Sequence, residues 1–151
     1  MRGKRNDQAG GRGLILATLM GTVMAGTAFA GDIQREYPNP WNKSIGYAEM
    51  VQHGDTLYIS GVTGEGTNMA NQVTSVYEQI KALLASRGLG SSDVVKENVY
   101  TRDIEAFKAV GDIRKAFYKD EVYPAATWVQ VDRLYNPEQM VEVEVEVAVK
   151  P

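Results

Sequence analysis

Three glutamates, Glu142, Glu144 and Glu146, alternate with valines from Val141 to Val147. On a strand, side chains two residues apart share a face, so the three carboxylates form one row. Enclosed in a cleft, Glu142 would have the raised pKa that suits a carboxyl for general acid–base work on water. Left in solvent, the same row is simply the hydrated face of a terminal strand, and both readings stand at this point. Other chemistry is sparse. His53 is the single histidine and lies in a turn, His53-Gly54-Asp55, where a solvated imidazole is the ordinary case. One histidine and no cysteine leave no thiolate site, disulfide, cysteine nucleophile or multi-histidine centre. With no second histidine and no Gly-x-Ser-x-Gly elbow, a serine hydrolase is excluded too. No cofactor and no metal are expected.

The elements that must position Glu142 can be read from hydrophobic period. Short strands at Tyr47–Val51 and Thr56–Ser60 flank the Gly54-Asp55 hairpin turn, and Gly61–Thr67, with three glycines, reads as a loop. Met69, Val73, Val76, Tyr77, Ile80, Leu83 and Leu84 recur at steps of three and four, an amphipathic helix that Gly88 stops in the left-handed conformation. Asp93–Tyr100 is β-rich. Asp103 is placed to cap a second helix with Ile104, Phe107, Val110, Ile113 and Phe117 on one face. Thr127–Val131 and Val141–Val147 close the chain as strands. The order β-β-α-β-α-β-β predicts an α+β domain, a single sheet with two helices on one face.

Met1–Ala30 has a basic opening (Arg2, Lys4, Arg5, Arg12), an apolar run from Leu14 through Ala25, and Ala28-Phe29-Ala30 at its close. That is the pattern of a secretory signal peptide, so the protein is expected to be exported, periplasmic or secreted, with no membrane attachment after cleavage. Residues 31–45, with two prolines and no period, read as an extended arm, and residues 46–151 as the domain. From residue 31 onward there are 12 basic and 18 acidic side chains, net −6, which repels phosphate backbones, so no nucleic acid partner is expected. The helices should take the valine face of the last strand. The other face would show the three glutamates and Trp128, a half-polar, half-aromatic surface that assembly would cover. Trp128 is a candidate for packing or for stacking on a ligand.

Val51-Gln52-His53-Gly54-Asp55-Thr56-Leu57-Tyr58-Ile59-Ser60-Gly61 resembles the opening hairpin of the Rid proteins, also called the YjgF family. Asp93–Tyr100 with Asp103 and Phe107, Pro124–Leu134, and Val141–Glu144 resemble its later strands and second-helix start, so the likeness spans about residues 40–150. The resemblance implies a chorismate-mutase-like fold and a homotrimeric barrel with helices outside and a small-molecule ligand between subunits. It implies hydrolysis of 2-imino acids to 2-oxo acids and ammonia, with a glutamate on the last strand handling water and an arginine holding the substrate carboxylate.

By that resemblance the water-handling residue is Glu142, with Glu144 as the register alternative. Tyr47, Ser60, Gly61, Ala126, Thr127 and Trp128 form the ligand-binding cleft. The arginine that follows Pro-Ala in deaminating members is replaced by Ala126, after Pro124-Ala125, and an asparagine early in the second helix by Gly111. The chain thus resembles a subgroup lacking the deaminase arginine. Arg133, an odd number of positions from Ala126, would face the other way on a regular strand. Two functions remain: hydrolysis of a small imine, enamine or carbonyl metabolite, or a non-catalytic small-molecule-binding or interaction trimer.

Overall fold

The computed structural model describes residues 31–150; the expected leader, 1–30, lies outside them. Six strands form one sheet in the order β1-β2-β3-β6-β4-β5. They are β1 Gln34–Glu36, β2 Met50–His53, β3 Thr56–Thr63, β4 Val94–Thr101, β5 Ala125–Gln130 and β6 Val141–Ala148. All neighbours are antiparallel except β4 and β5, which run parallel and are joined through the second helical segment. The helices are α1 Pro40–Ile45, α2 Met69–Ala85, α3 Ile104–Ala109 and α4 Gly111–Phe117.

The strict alternation of β6 is the centre of this arrangement. Val141, Val143, Val145 and Val147 are all at most 2% exposed and meet Val73, Val76, Ile80 and Leu84 of α2, while Glu142, Glu144 and Glu146 lie on the other face. Helix α2 runs as its period predicts, and Gly88 ends it at φ +68°, where a side chain would be strained; the Leu89 N–H then reaches the Leu84 carbonyl.

Three expectations need correction. Residues 31–45 are not extended throughout. Gln34–Glu36 pair with β2, and Pro40 starts a helical turn closed by the Asn39 N–H on Asn42 Oδ1 at 2.9 Å. Proline at the first helical position loses no bond that a helix start would have made, which is why the Asn-Pro pair begins a helix. The second helix breaks in two at Val110 (φ −106°), where a β-branched residue precedes Gly111 and both are poor helix formers. And Trp128 does not face the glutamates. It pairs with Val99 on the helix-covered side, and its ring stands edge-on to Phe107 at 5.3 Å.

A buried polar cluster lies under that tryptophan. Glu97, fully buried on β4, receives Arg114 Nε of α4 at 2.6 Å, the Tyr77 hydroxyl of α2 at 2.8 Å and the Tyr118 hydroxyl at 2.9 Å. The Arg114 guanidinium also lies over the rings of Tyr118 and Trp128, 4.8 and 5.0 Å from their centroids. Burial, then the Glu97 charge, drives both tyrosine pKa values far upward, so the phenols are permanent donors. Removing one member of a buried pair strands the other charge, at a cost of about 3–5 kcal/mol. Arg114→Met should therefore lower the unfolding free energy from urea titration by an amount in that range, measured at fixed protein concentration, whereas the exposed Lys115→Met should change it by less than about 0.5 kcal/mol.

Candidate functional site

Strand β3 runs three residues beyond its expected end at Ser60 because a bulge carries it through Gly61. Ile59 pairs with Val145 and Val62 with Val143, so three steps on β3 match two on β6. The extra residue reverses the alternation: Leu57 and Ile59 point into the core before the bulge, and Val62 after it. Gly61 is glycine for a steric reason. A Cβ there would stand 1.9 Å from Glu142 Oε1, so the carboxylate occupies the space that a side chain would fill.

Glu142 thereby sits in a pocket of about 340 Å³ with Tyr47, Ser60, Gly61, Ile45 and Tyr135 around it. Thr63 and Gln139 complete the wall. Burial raises the Glu142 pKa above the ordinary carboxylate range, and the neighbouring Glu144 charge adds to this. Glu144 itself is held by Asn98 Nδ2 at 2.7 Å and the Tyr100 hydroxyl at 3.0 Å. The two glutamates are thus inequivalent: Glu144 is a pinned acceptor, and Glu142, for which no side-chain hydrogen bond is found, faces the pocket. Glu142 is the one that lines the pocket with Tyr47, Ser60 and Gly61, while Glu144 borders a smaller one beside Tyr58 and Lys96.

Helix α1 sets Tyr47. Its left-handed Gly46 (φ +99°) lets the Gly46 and Tyr47 N–H groups both reach the Asn42 carbonyl, at 2.9 and 3.0 Å, and buried Asn42 donates to Glu49 at 2.9 Å. The Ser60 hydroxyl is already engaged, donating to the Ala48 carbonyl at 2.7 Å, so it holds the bulge to the chain before β2. Tyr135 and Gln139 come from the loop before β6. Buried Gln72 fixes that loop, donating to the Glu138 carbonyl at 2.8 Å and accepting the Met140 N–H at 2.7 Å, while Gln139 donates to Thr63 at 3.1 Å. Ile45, Thr63, Tyr135 and Gln139 were not among the sequence candidates; the pair Asn136-Pro137, a turn former, is the local sign that the chain reverses here.

Ala126, Thr127 and Trp128 are not brought to this pocket within one chain. They lie on β5, two strands from β6, roughly 10 Å across the sheet at ordinary strand spacing. Ala126 pairs with Glu97 and so shares the helix-covered side with Trp128, while Thr127 pairs with Asn98 on the open side. Arg133 lies past the end of β5, so strand parity does not govern it; its Nη2 reaches towards the Tyr135 carbonyl at 3.5 Å.

Residues 39–149 match the family described as Endoribonuclease L-PSP. The chain belongs to this family, that of the YjgF or Rid proteins. A 2-iminobutanoate/2-iminopropanoate deaminase of Dermatophagoides farinae is 32% identical over 96 residues, 58% of this chain and 74% of that protein. A RutC family protein of Aquifex aeolicus is 34% identical over 113 residues, 69% and 88% of the two chains. Among solved structures, a YjgF/YER057c/UK114 family member from Mycobacterium tuberculosis superimposes with a TM-score of 0.70 at 25% identity, covering 78% of this chain and all of that one. A YjgF family protein from Neisseria meningitidis gives 0.70 at 26%, covering 80% and 97%. The YjgF-like α+β fold that the Rid resemblance implied is therefore the fold of this chain.

The Gly61 contact predicts a selective effect. In Gly61→Ala the flexible end of Glu142 is what must yield, so the fold should persist while the carboxyl moves. Carbon-13 NMR of glutamate carboxyls should show a shifted Glu142 signal in a protein with wild-type circular dichroism. The raised pKa has its own signature. A carboxyl whose folded pKa exceeds its unfolded one binds more protons when folded, so stability falls as pH rises from the ordinary carboxylate range through the folded value, then levels off. Glu142→Gln should remove that part of the stability–pH curve measured by urea unfolding.

Proposed function

We propose that this protein hydrolyses small imine or enamine-like metabolites, with Glu142 handling the attacking water. The observation that carries the reading is a half-buried carboxyl of raised pKa standing over the Gly61 bulge in a pocket of small-molecule size. A carboxyl whose pKa is raised can take a proton from water and give it up again more readily than an ordinary one, which both halves of the reaction require. Starting from the protonated imine, ionised Glu142 takes one proton from water as the water oxygen bonds to the carbon and the C=N π pair passes to nitrogen, giving a neutral carbinolamine. Glu142 then returns that proton to nitrogen, the C–N bond breaks as the hydroxyl oxygen forms the C=O bond, and the hydroxyl proton leaves with the departing amine, so iminium and water become a carbonyl compound and ammonium or a protonated amine. A relative named as an imine deaminase supports the same chemistry.

The working unit in this proposal is a homotrimer. Its clefts lie between subunits, each pocket at Glu142 being closed by the exposed edge strand β5 of a neighbour, with Thr127 of its open face towards the ligand and Ala126 next to it on the strand. The exposure of all six β5 residues in the single chain supports this. Ala126 then stands where deaminating members carry the carboxylate-binding arginine, and 2-imino acids should be poor substrates. The leader pattern of residues 1–30 supports export to the periplasm or beyond. Although the family description names an endoribonuclease, the acidic pocket and the net charge of −6 beyond residue 30 disfavour a polyphosphate ligand.

The test is hydrolysis by the purified protein of imines generated in place by amino-acid and amine oxidases, with semicarbazide trapping what remains. Wild type should turn over 2-iminopropanoate poorly, and Ala126→Arg should improve it. Glu142→Gln should lower turnover of whichever imine is accepted by about 10²–10⁴-fold, the usual contribution of a general acid–base group. Wild-type activity that survives Glu142→Gln would overturn the assignment.

A further inference from the structure

The charge around the Glu142 pocket has one sign. Of the residues that line it, Glu142 alone is ionisable to a full charge at neutral pH; the rest are Ile45, two tyrosines and uncharged polar groups. The adjoining groove, which shares Tyr47, Gly61, Thr63 and Gln139 with the pocket, adds three carboxylates, Glu49, Glu65 and Glu138, and no lysine, arginine or histidine. Beyond the pocket, the open face carries Glu144 and Glu146 against Lys96, paired with Glu146 at 3.5 Å, and Arg35, three strands from β6 on the edge strand β1. Strand β5, the wall that a neighbouring copy would supply, reads Ala-Ala-Thr-Trp-Val-Gln and is uncharged.

From this we infer that the pocket takes a positively charged, carboxylate-free ligand: an iminium ion or a protonated small amine. This inference rests on the reading of the pocket as a ligand site and narrows its substrate class. An anion entering would face Glu142 and the groove carboxylates with no fixed cation to offset its lost hydration. A small organic cation gains the Glu142 charge in a half-enclosed site whose wall includes the aromatic side chains of Tyr47 and Tyr135. A metal ion is served less well, because among the described residues no three carboxylate or imidazole groups converge. Two basic groups stand two positions from wall residues, Arg133 at the Tyr135 carbonyl and Lys43 over the Tyr37 ring, and neither is in the lining.

Protonation of Glu142 and binding of a cation compete for one charge. The groups that face Glu142 are Glu144 on its own strand, Tyr100 on β4, uncharged Thr63 on β3, and the phenols of Tyr47 and Tyr135 across the pocket. The raised pKa then fixes the direction: cation affinity should grow as pH rises through the Glu142 titration, while an anionic ligand should bind better as pH falls.

The experiment is titration of the purified protein with pyrrolidinium and with cyclopentanecarboxylate, matched in ring size and opposite in charge, by calorimetry from pH 5 to 8. Pyrrolidinium should bind more tightly as pH rises, cyclopentanecarboxylate should bind at least tenfold more weakly at pH 8, and Glu142→Gln should weaken pyrrolidinium at least tenfold with circular dichroism and assembly size unchanged. Tighter binding of the carboxylate, or pyrrolidinium binding indifferent to Glu142→Gln and to pH, would overturn the inference. So would carboxylate binding that Arg133→Ala abolishes, since it would make that arginine the anion holder. A hydrolysis arm separates this from the reading beneath it. The imine of ethylamine and 2-iminopropanoate differ by a carboxylate alone. Preference for the first supports both readings, and preference for the second keeps hydrolysis and removes the cation. Pyrrolidinium binding of the expected kind with neither imine hydrolysed keeps the cation and removes hydrolysis.

Discussion

The Glu97 carboxylate is the point from which much of this architecture is organised. It lies on a central strand with no exposed surface, yet it takes a guanidinium from α4, a hydroxyl from α2 and a hydroxyl from the residue that ends α4. Two helices are thus referred to one pair of oxygens on the sheet. An ion in such a place is tolerated only when its lone pairs are filled, and no buried side-chain polar atom among the described residues lacks a partner. Through Arg114 the cluster also reaches Trp128, so the helical layer fixes the tilt of the edge strand β5 as well as the packing over the sheet. Apolar packing alone would hold these elements together, but it would hold them with less definite orientation.

The opposite face is governed by a steric constraint rather than by a bond. The bulge at Ser60-Gly61 removes a side chain where β6 places Glu142, and the absent Cβ becomes the seat of the carboxyl. The two faces of β6 therefore do different things with the same alternation: the valines fill the core, while the glutamates are differentiated by what their neighbours on β3 and β4 provide. Glu144 finds two donors and is pinned, Glu146 finds Lys96, and Glu142 finds a gap with a wall of tyrosines. Inequivalent environments for like groups are how a polypeptide assigns one of them to chemistry.

Much of the fold was legible because β6 and α2 have clean periods of two and of three to four, and because Gly54-Asp55 and Gly88 mark turns whose backbone demands are specific. What was not legible arose where a long-range contact overrode a local pattern. Glu97 reads as an outward-facing charge until Arg114, seventeen residues on, is known to meet it; a second bulge between Val94 and Lys96 disguises the strand's alternation further. Trp128 looked like part of the open face because β5 was counted without its register, and pairing with Val99 turns it inward. The Rid resemblance placed Tyr47, Ser60, Gly61 and Glu142, and these four do line one pocket. Tyr135 and Gln139 arrive on a loop held by Gln72, and a bond between residues more than sixty positions apart leaves no local trace in the chain.

The two edges of the sheet bear on how the pocket is closed. Strand β1 is three residues long and carries Arg35 and Glu36, a short polar edge of the kind that discourages strand addition. Strand β5 is six residues long, uncharged, and exposes Trp128 and Val129 at 41% and 39%. An apolar edge of that length left in water invites association, so it is β5 rather than β1 that a second copy would cover. In the proposed trimer the β5 of one copy would be the wall over the Glu142 pocket of the next, and that strand carries no charge. The electrostatic character of the pocket is then set from within one chain, by Glu142 and the carboxylates beside it, whichever neighbour completes its shape.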